Sequence, residues 1–329
     1  MAHKPRLALL LPNQSVSFGA TTPIELLDLA ELADTSGGFD AVFVGDNLFA
    51  RPRLESIVLL SAAAARTRRV KLGVACMASF PLRSPILLAS QWAALDNVSG
   101  GRMVLAACIG ADEYGANFGR EYRAFGIEPR DRVARLEEGI EVLRALWTNS
   151  PASFSGKFFN FEGISIHPEP VQKPCPPIWI ANNPLVSGKP AIIERAFQRV
   201  GRLADGWMSV GVTVEQFRTS WQKIQGFARE AGRDAERMES CLYYSINIAD
   251  DEETAYAESQ KFLSAYYRAP STISMQTIKL WVAGGPPERC AEKIHEYVDA
   301  GAKTISLRFT SYDQPGQIRR FLTEVLPRL

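Results

Sequence analysis

Histidine is nearly absent: His3, His167 and His295 are the only ones among 329 residues. They lie far apart and none ends an apolar run. Neither a histidine-rich metal cluster nor a Ser/His/Asp set is therefore readable. No GxSxG elbow occurs, and "CIGADEYG" (108–115) lacks the GxGxxG spacing of a dinucleotide loop. The five cysteines (Cys76, Cys108, Cys175, Cys241, Cys290) form no CxxC pair, which argues against a zinc site or a disulfide framework and fits a reducing cytoplasm. Charge of one sign is also lacking. With 37 Lys and Arg against 36 Asp and Glu, the net charge of +1 offers no electrostatic case for nucleic acid or an anionic membrane. No apolar run approaches a membrane span. The opening "MAHKPRLALLLPNQ" stops at Pro12 without a small-residue cleavage pattern, so it reads as a first strand rather than a signal peptide.

What is present is a globular composition, 46% hydrophobic and 22% charged, with strand and helix signals in alternation. Apolar runs at 6–11, 41–46, 70–76, 103–109, 177–181, 206–212, 241–249 and 304–309 read as eight strands. Helical segments separate them. Thr22, Pro23 and Glu25 make a helix start, and so do Ser84 and Pro85. Gly100-Gly101 stops the third helix. Val133, Leu136, Ile140, Leu143 and Trp147 form one apolar stripe at helical spacing. Strands apolar at successive positions are buried on both faces, as in a parallel sheet. Eight strand-helix units predict an α/β fold, a (β/α)₈ TIM barrel with insertions, over residues 1–329 as a single domain. The rival, a doubly wound sheet split in two, finds no linker. Excursions near 110–130, 149–176 and 270–285 are candidate lids or binding loops.

In such a barrel the site lies at the C-terminal strand ends. These ends carry Asp46-Asn47, Ala75-Cys76-Met77, Cys108-Ile109-Gly110, Asn182-Asn183 and Arg308, a mostly apolar and amide-bearing set. A site poor in acids and bases suits a planar cofactor that performs the chemistry itself. Each candidate also has a plainer reading. Asp46-Asn47 caps a loop or acts in the site; Cys76 and Cys108 are small apolar fillers or reactive thiols. Ser187, Gly188 and Lys189 precede Pro190 and offer either a phosphate cradle at a helix start or an ordinary cap. Trp207 fits the barrel core or a wall beside a ring. Tyr114, Phe118 and Trp281 form a substrate surface or only lid packing. Arg308 meets an anionic substrate group or a salt bridge within the barrel.

The segments "SPILLASQWAALDNVSGGRMVLAACIG", "RVARLEEGIEVLRALW", "PEPVQKPCPPIWIAN" and "RLADGWM", in this order and at these spacings, resemble the bacterial luciferase-like flavin-dependent oxidoreductases. The resemblance covers nearly the whole chain. It implies a barrel that binds FMN or the deazaflavin F420, commonly as a homodimer. By position it places the ring against a bulge at Ala75, Cys76 and Met77, with a cis peptide there. It brings Cys108, Ile109 and Gly110 near the ring or its side chain. Asn182, Asn183, Ser187, Gly188 and Lys189 would hold the ribityl chain and phosphate, and Trp207 would flank the cofactor. Two departures stand out. The arginine that luciferases carry near Ile109 is missing. The Asp-His pair of many F420 members is here Asp46-Asn47, and an amide is no proton donor near neutral pH. Asp46, Asn47 and Cys76 are the candidate catalytic residues.

Three functions follow. The first is a two-component monooxygenase that uses reduced FMN, supplied by a separate flavin reductase, and O₂ on a small or medium organic substrate. The second is an F420-dependent reductase or dehydrogenase, suggested by "DGWMS" and the helix after it. The third is a non-catalytic flavin-binding protein. No metal, nucleic acid or membrane partner is expected, and the expected location is the cytoplasm.

Overall fold

Strands that are apolar throughout need cover on both faces, and here they find it by closing on themselves. The computed structural model describes residues 4–110, 116–267 and 271–329. The chain begins with β1 (Arg6–Leu11), α1 (Pro23–Ser36), β2 (Ala41–Asp46), α2 (Ser56–Arg66), β3 (Lys71–Met77), α3 (Pro85–Ser99) and β4 (Met103–Ala107). Next come α4 (Ala116–Ala124), α5 (Arg132–Thr148), an antiparallel hairpin of β5 (Ala152–Ser155) and β6 (Asn160–Ile164), and β7 (Ile178–Ala181). Then follow α6 (Pro190–Leu203), β8 (Gly206–Val210), α7 (Val214–Glu230), β9 (Glu239–Ile248), α8 (Glu252–Tyr266) and α9 (Met275–Trp281). The order ends with β10 (Val282–Gly285), α10 (Pro287–Asp299), β11 (Thr304–Phe309) and α11 (Gln314–Arg320).

Parallel pairing runs β1-β2-β3-β4-β7-β8-β9-β11 and returns to β1, giving a closed (β/α)₈ barrel. β2 and β11 are buried at every position. All eight strands read from the sequence belong to the ring. β10 was not anticipated. It extends the wall beside the upper half of β9, pairing Val282 with Ser245 and Gly285 with Ile248. The excursion at 270–285 thus ends in a short helix and this extra strand, the one at 149–176 holds the hairpin, and the one at 110–130 holds α4.

The helix starts follow the residues that signal them. Glu25 N–H donates to Thr22 Oγ1 while Thr22 N–H donates to Glu25 Oε2, a reciprocal box that satisfies two otherwise orphaned donors. Ser84 accepts from Leu87 N–H, and Gly100 ends α3 in the left-handed region at φ 70°.

Alternation along the strands builds two cores. Outward positions such as Leu72, Val74, Leu105, Ile180 and Leu307 pack under the helices. Inward positions such as Leu10, Phe43, Val104, Trp179 and Met208 fill the barrel. Phe43 and Trp179 meet edge to face at 5.9 Å and line a cleft at the N-terminal end with Arg6, Asp40, Lys71 and Glu239. The bulky rings therefore plug the bottom. The small side chains Ala75, Cys76, Cys108 and Ala181 belong to the same interior and end their strands at the opposite mouth.

Candidate functional site

The mouth is shaped first by a bulge. The pairing of β3 with β4 shifts register between Val74 and Met77, and the Ala75-Cys76 peptide is cis, as the resemblance implied. Val74 and Met77 both face the outer core, while Ala75 and Cys76 both border the interior. Strict alternation would have turned Cys76 away. Cys108, at the end of β4, joins it there. The two thiols are close enough to influence each other's protons: the Cys108 side chain and burial push Cys76 well above the ordinary thiol range, whereas the Cys76 thiol draws Cys108 below it.

Asp46 is fully engaged. Its Oδ1 accepts from Ser56 Oγ at 2.7 Å and Arg83 Nη2 at 3.0 Å, and its Oδ2 accepts from Ser79 N–H at 2.8 Å and Ser79 Oγ at 2.6 Å. With both oxygens occupied by four donors, this carboxylate ties β2 to the turn after β3 rather than facing the mouth. Asn47 differs. Its Nδ2 donates to Asp46 O at 2.7 Å, but its buried Oδ1 has no partner. The loop after it is gripped from α4, where Glu121 Oε1 accepts the N–H groups of Leu48, Phe49 and Ala50 at 3.1, 2.7 and 3.3 Å.

On the far side, Asn183 Nδ2 donates to Val210 O at 2.8 Å and its Oδ1 is buried without a partner. Ser187 Oγ donates to Pro184 O and accepts from Lys189 N–H. Gly188 takes the left-handed conformation at φ 62°. Lys189 is exposed, and no side chain caps the start of α6.

Three expected ring contacts are corrected by side-chain direction. Trp207 is 1% exposed and points away from the interior, into Phe197, Phe217 and Trp221 of the helix layer. Its tie to the site is indirect, through Nε1 donating to Asn182 Oδ1 at 3.0 Å. Met77 and Ile109 likewise pack in the outer core. Gly110 has φ 68°, and a Cβ there would lie 2.9 Å from Ala78 O, so the need for glycine comes from the chain's own close approach.

The remaining candidates converge. Arg308, on β11, is 2% exposed and points inward. Its Nη1 donates to Tyr267 Oη at 2.8 Å and its Nη2 to Tyr266 Oη at 3.2 Å, while its Nε is buried without a partner. Its guanidinium lies 4.8, 4.0 and 5.4 Å from the ring centres of Tyr243, Tyr266 and Tyr267. Arg51 lies 5.0 Å from the Tyr267 ring and 5.8 Å from Phe118, and Trp281 meets Tyr267 edge to face at 5.8 Å. Phe118, Trp281 and Arg308 are thus brought into one wall; Tyr114 lies outside the described residues. The alternative of a salt bridge for Arg308 finds no carboxylate partner among the described residues. Sequence reasoning missed Arg51, Arg53, Tyr266 and Tyr267. The one available signal was "ARPR" after the second strand, two arginines with no acid beside them until Glu55. Among the described residues no group of three or more His, Cys, Asp and Glu side chains is placed to hold a metal ion.

This geometry has relatives. Residues 6–304 match the pattern of luciferase-like monooxygenases. An F420-dependent glucose-6-phosphate dehydrogenase of Nocardia farcinica is 27% identical over 331 residues, covering 93% of this chain and 94% of that one. The enzyme of the same name from Mycolicibacterium smegmatis is 25% identical over 93% of this chain and 94% of its own. Among solved structures, the monooxygenase RslO1 from Streptomyces bottropensis superposes with a TM-score of 0.80 at 26% identity, over 98% of this chain and 99% of that one. An F420-dependent secondary alcohol dehydrogenase shares the fold, with a TM-score of 0.82 at 20% identity over 99% of each chain. With a match that spans the barrel from its first strand to its last, the chain belongs to the luciferase-like monooxygenase family.

Proposed function

We propose that the protein is an F420-dependent oxidoreductase acting on a small organic substrate. The observation that carries this reading is the end-to-end likeness to relatives named for F420. It reverses the order in which the missing histidine ranks the two cofactors. The mouth fits a planar, amide-edged ring on its own terms. Ala75, Cys76, Cys108 and Ala181 are small enough to leave room, and the interior below them is apolar. Asn47 Oδ1 and Asn183 Oδ1 are buried acceptors without partners, on opposite sides of that mouth.

F420, when bound, supplies two-electron transfer to or from a carbon of the substrate. The protein's own share is placement. Ala75 and Cys76 would support one face of the ring, and Asn182 and Asn183 would meet its side chain. Ser187, Gly188 and Lys189 would take its phosphate at the uncapped start of α6. Asn47 Oδ1 would accept a hydrogen bond from a ring N–H or a substrate hydroxyl. It orients such a group without taking its proton. Phe118, Tyr267 and Trp281 would exclude water from above.

A second reading, a monooxygenase using reduced FMN, draws support from the likeness to RslO1 and from Asn47 standing where an ionisable side chain would serve proton transfer. Titration of the purified protein with F420 and FMN in both redox states separates the two. Tighter binding of F420, with loss of its oxidised absorbance on adding an alcohol substrate, is the expected result. Binding of reduced FMN alone, with oxygen consumption, would overturn the F420 reading.

A further inference from the structure

We infer that Arg51, Arg53 and Arg308 form an oxyanion subsite, which takes a doubly charged acidic group carried by the substrate. The inference rests on the proposed reading only in assigning the anion to a substrate held above a bound ring. The subsite itself is argued from charge and burial.

Burying a guanidinium without a counter-charge is strongly unfavourable, so such a group persists where other interactions offset it. Arg308 is repaid in part by three tyrosine rings and two hydroxyls. No carboxylate pairs with Arg51, Arg53 or Arg308 among the described residues, although Arg83, in the turn after β3, has two. The three arginines also crowd one another. Burial lowers the proton affinity of Arg308 well below the ordinary range, and the charges of Arg53 and Arg51 lower it further. Three like charges held this close repel one another, and an anion bound among them would relieve that repulsion.

The donors are arranged for that role. Arg51 and Arg308 both lie over the Tyr267 ring, at 5.0 and 5.4 Å from its centre. Arg53 Nη2 donates to Gln14 Oε1 at 2.8 Å, and its Nε donates to Arg51 O at 3.2 Å, which fixes the pair relative to β1. The Gln14 backbone lies near enough to the Tyr266 hydroxyl to favour its charged form, so the same loop borders the partner of Arg308. Two nearby donors are buried and unused, Arg308 Nε and Gln14 Nε2. They add hydrogen bonds to the charge. Cys76 lies close enough to Tyr267 for its charge to be felt there, so the subsite borders the bulge where the ring would lie. A substrate anchored here by its acidic end would present its other end to that ring.

The test uses the full-length protein without cofactor and inorganic phosphate as the probe, at ionic strength held constant with chloride. Thermal midpoint and tryptophan fluorescence are followed against phosphate concentration. Saturable binding is expected. R51Q and R53Q, at half-buried positions, should each weaken it about tenfold, the loss of one charge-assisted contact. R308K keeps the buried charge but loses the planar fork, and should weaken phosphate to a similar degree while the fold is retained. F420 affinity in all three variants should stay within about twofold of the parent, since the ring contacts lie on other residues. Phosphate binding that is absent, or equal in parent and variants, overturns the subsite. So does a fall in F420 affinity with phosphate binding unchanged, which would assign the arginines to the cofactor. Failure of F420 to bind at all, with phosphate still dependent on the arginines, would sink the cofactor reading and leave the subsite standing.

Discussion

At the scale of single residues, the mouth separates groups that orient from groups that ionise. Asp46 and Asn47 are neighbours, yet one is saturated by four donors and the other keeps a free buried oxygen. The thiols divide in the same way. Cys175, Cys241 and Cys290 are pushed up by burial, the last to about 12, and stay inert. Cys108 alone is drawn down, because the Cys76 thiol donates to it and so favours its thiolate. Alkylation by iodoacetamide should therefore reach Cys108 first, with a rate that rises through a pKa below the usual thiol range. Removing the donor by Cys76→Ala should move that rise to higher pH. Peptide mapping of the labelled protein across pH checks both, and an unchanged profile in the variant would show that the thiol pair does not control it.

At the scale of elements, position matters more than propensity. The eight strands and the Thr22 start were legible because runs of apolar residues and local caps are properties of neighbouring positions. The site was legible only in part. Strict alternation puts Ala75 and Met77 on one side and Cys76 on the other; the bulge breaks that period. Arg308 and its partner Tyr266 stand 42 residues apart, and nothing local links them. α4 gives a further example. Its Glu121, 4% exposed, holds three backbone N–H groups of the loop that leads from Asn47 to Arg51. Glu121→Ala leaves those donors unsatisfied and should cost about 2–3 kcal/mol. Glu121→Gln keeps an oxygen and should cost less. Hydrogen exchange at Leu48, Phe49 and Ala50 should accelerate in both, more in the alanine variant, and phosphate affinity should fall with it because Arg51 is the next residue. Unchanged exchange at these three amides would show that α4 does not hold the loop.

At the scale of the whole molecule, the barrel is asymmetric along its axis. The bottom is filled by Phe43 and Trp179, and Arg6 there is paired with Glu239. The top keeps small side chains, orphaned acceptors at Asn47 and Asn183, and three arginines with no carboxylate partner among the described residues. Such a mouth gives up stability that a ligand can restore, since anything that binds only the folded state stabilises it by mass action. F420 present at one hundred times its dissociation constant should add about 2.7 kcal/mol. For a chain of 329 residues that is a rise in thermal midpoint of about 4 °C. The rise should persist in R51Q, whose defect lies in the anion subsite, and shrink in Asn183→Ala, which removes one of the orphaned acceptors. Scanning fluorimetry of the three proteins with and without F420 measures this directly. A midpoint that F420 leaves unmoved in the parent at concentrations up to millimolar would mean that the folded mouth does not take F420, and would sink the cofactor reading.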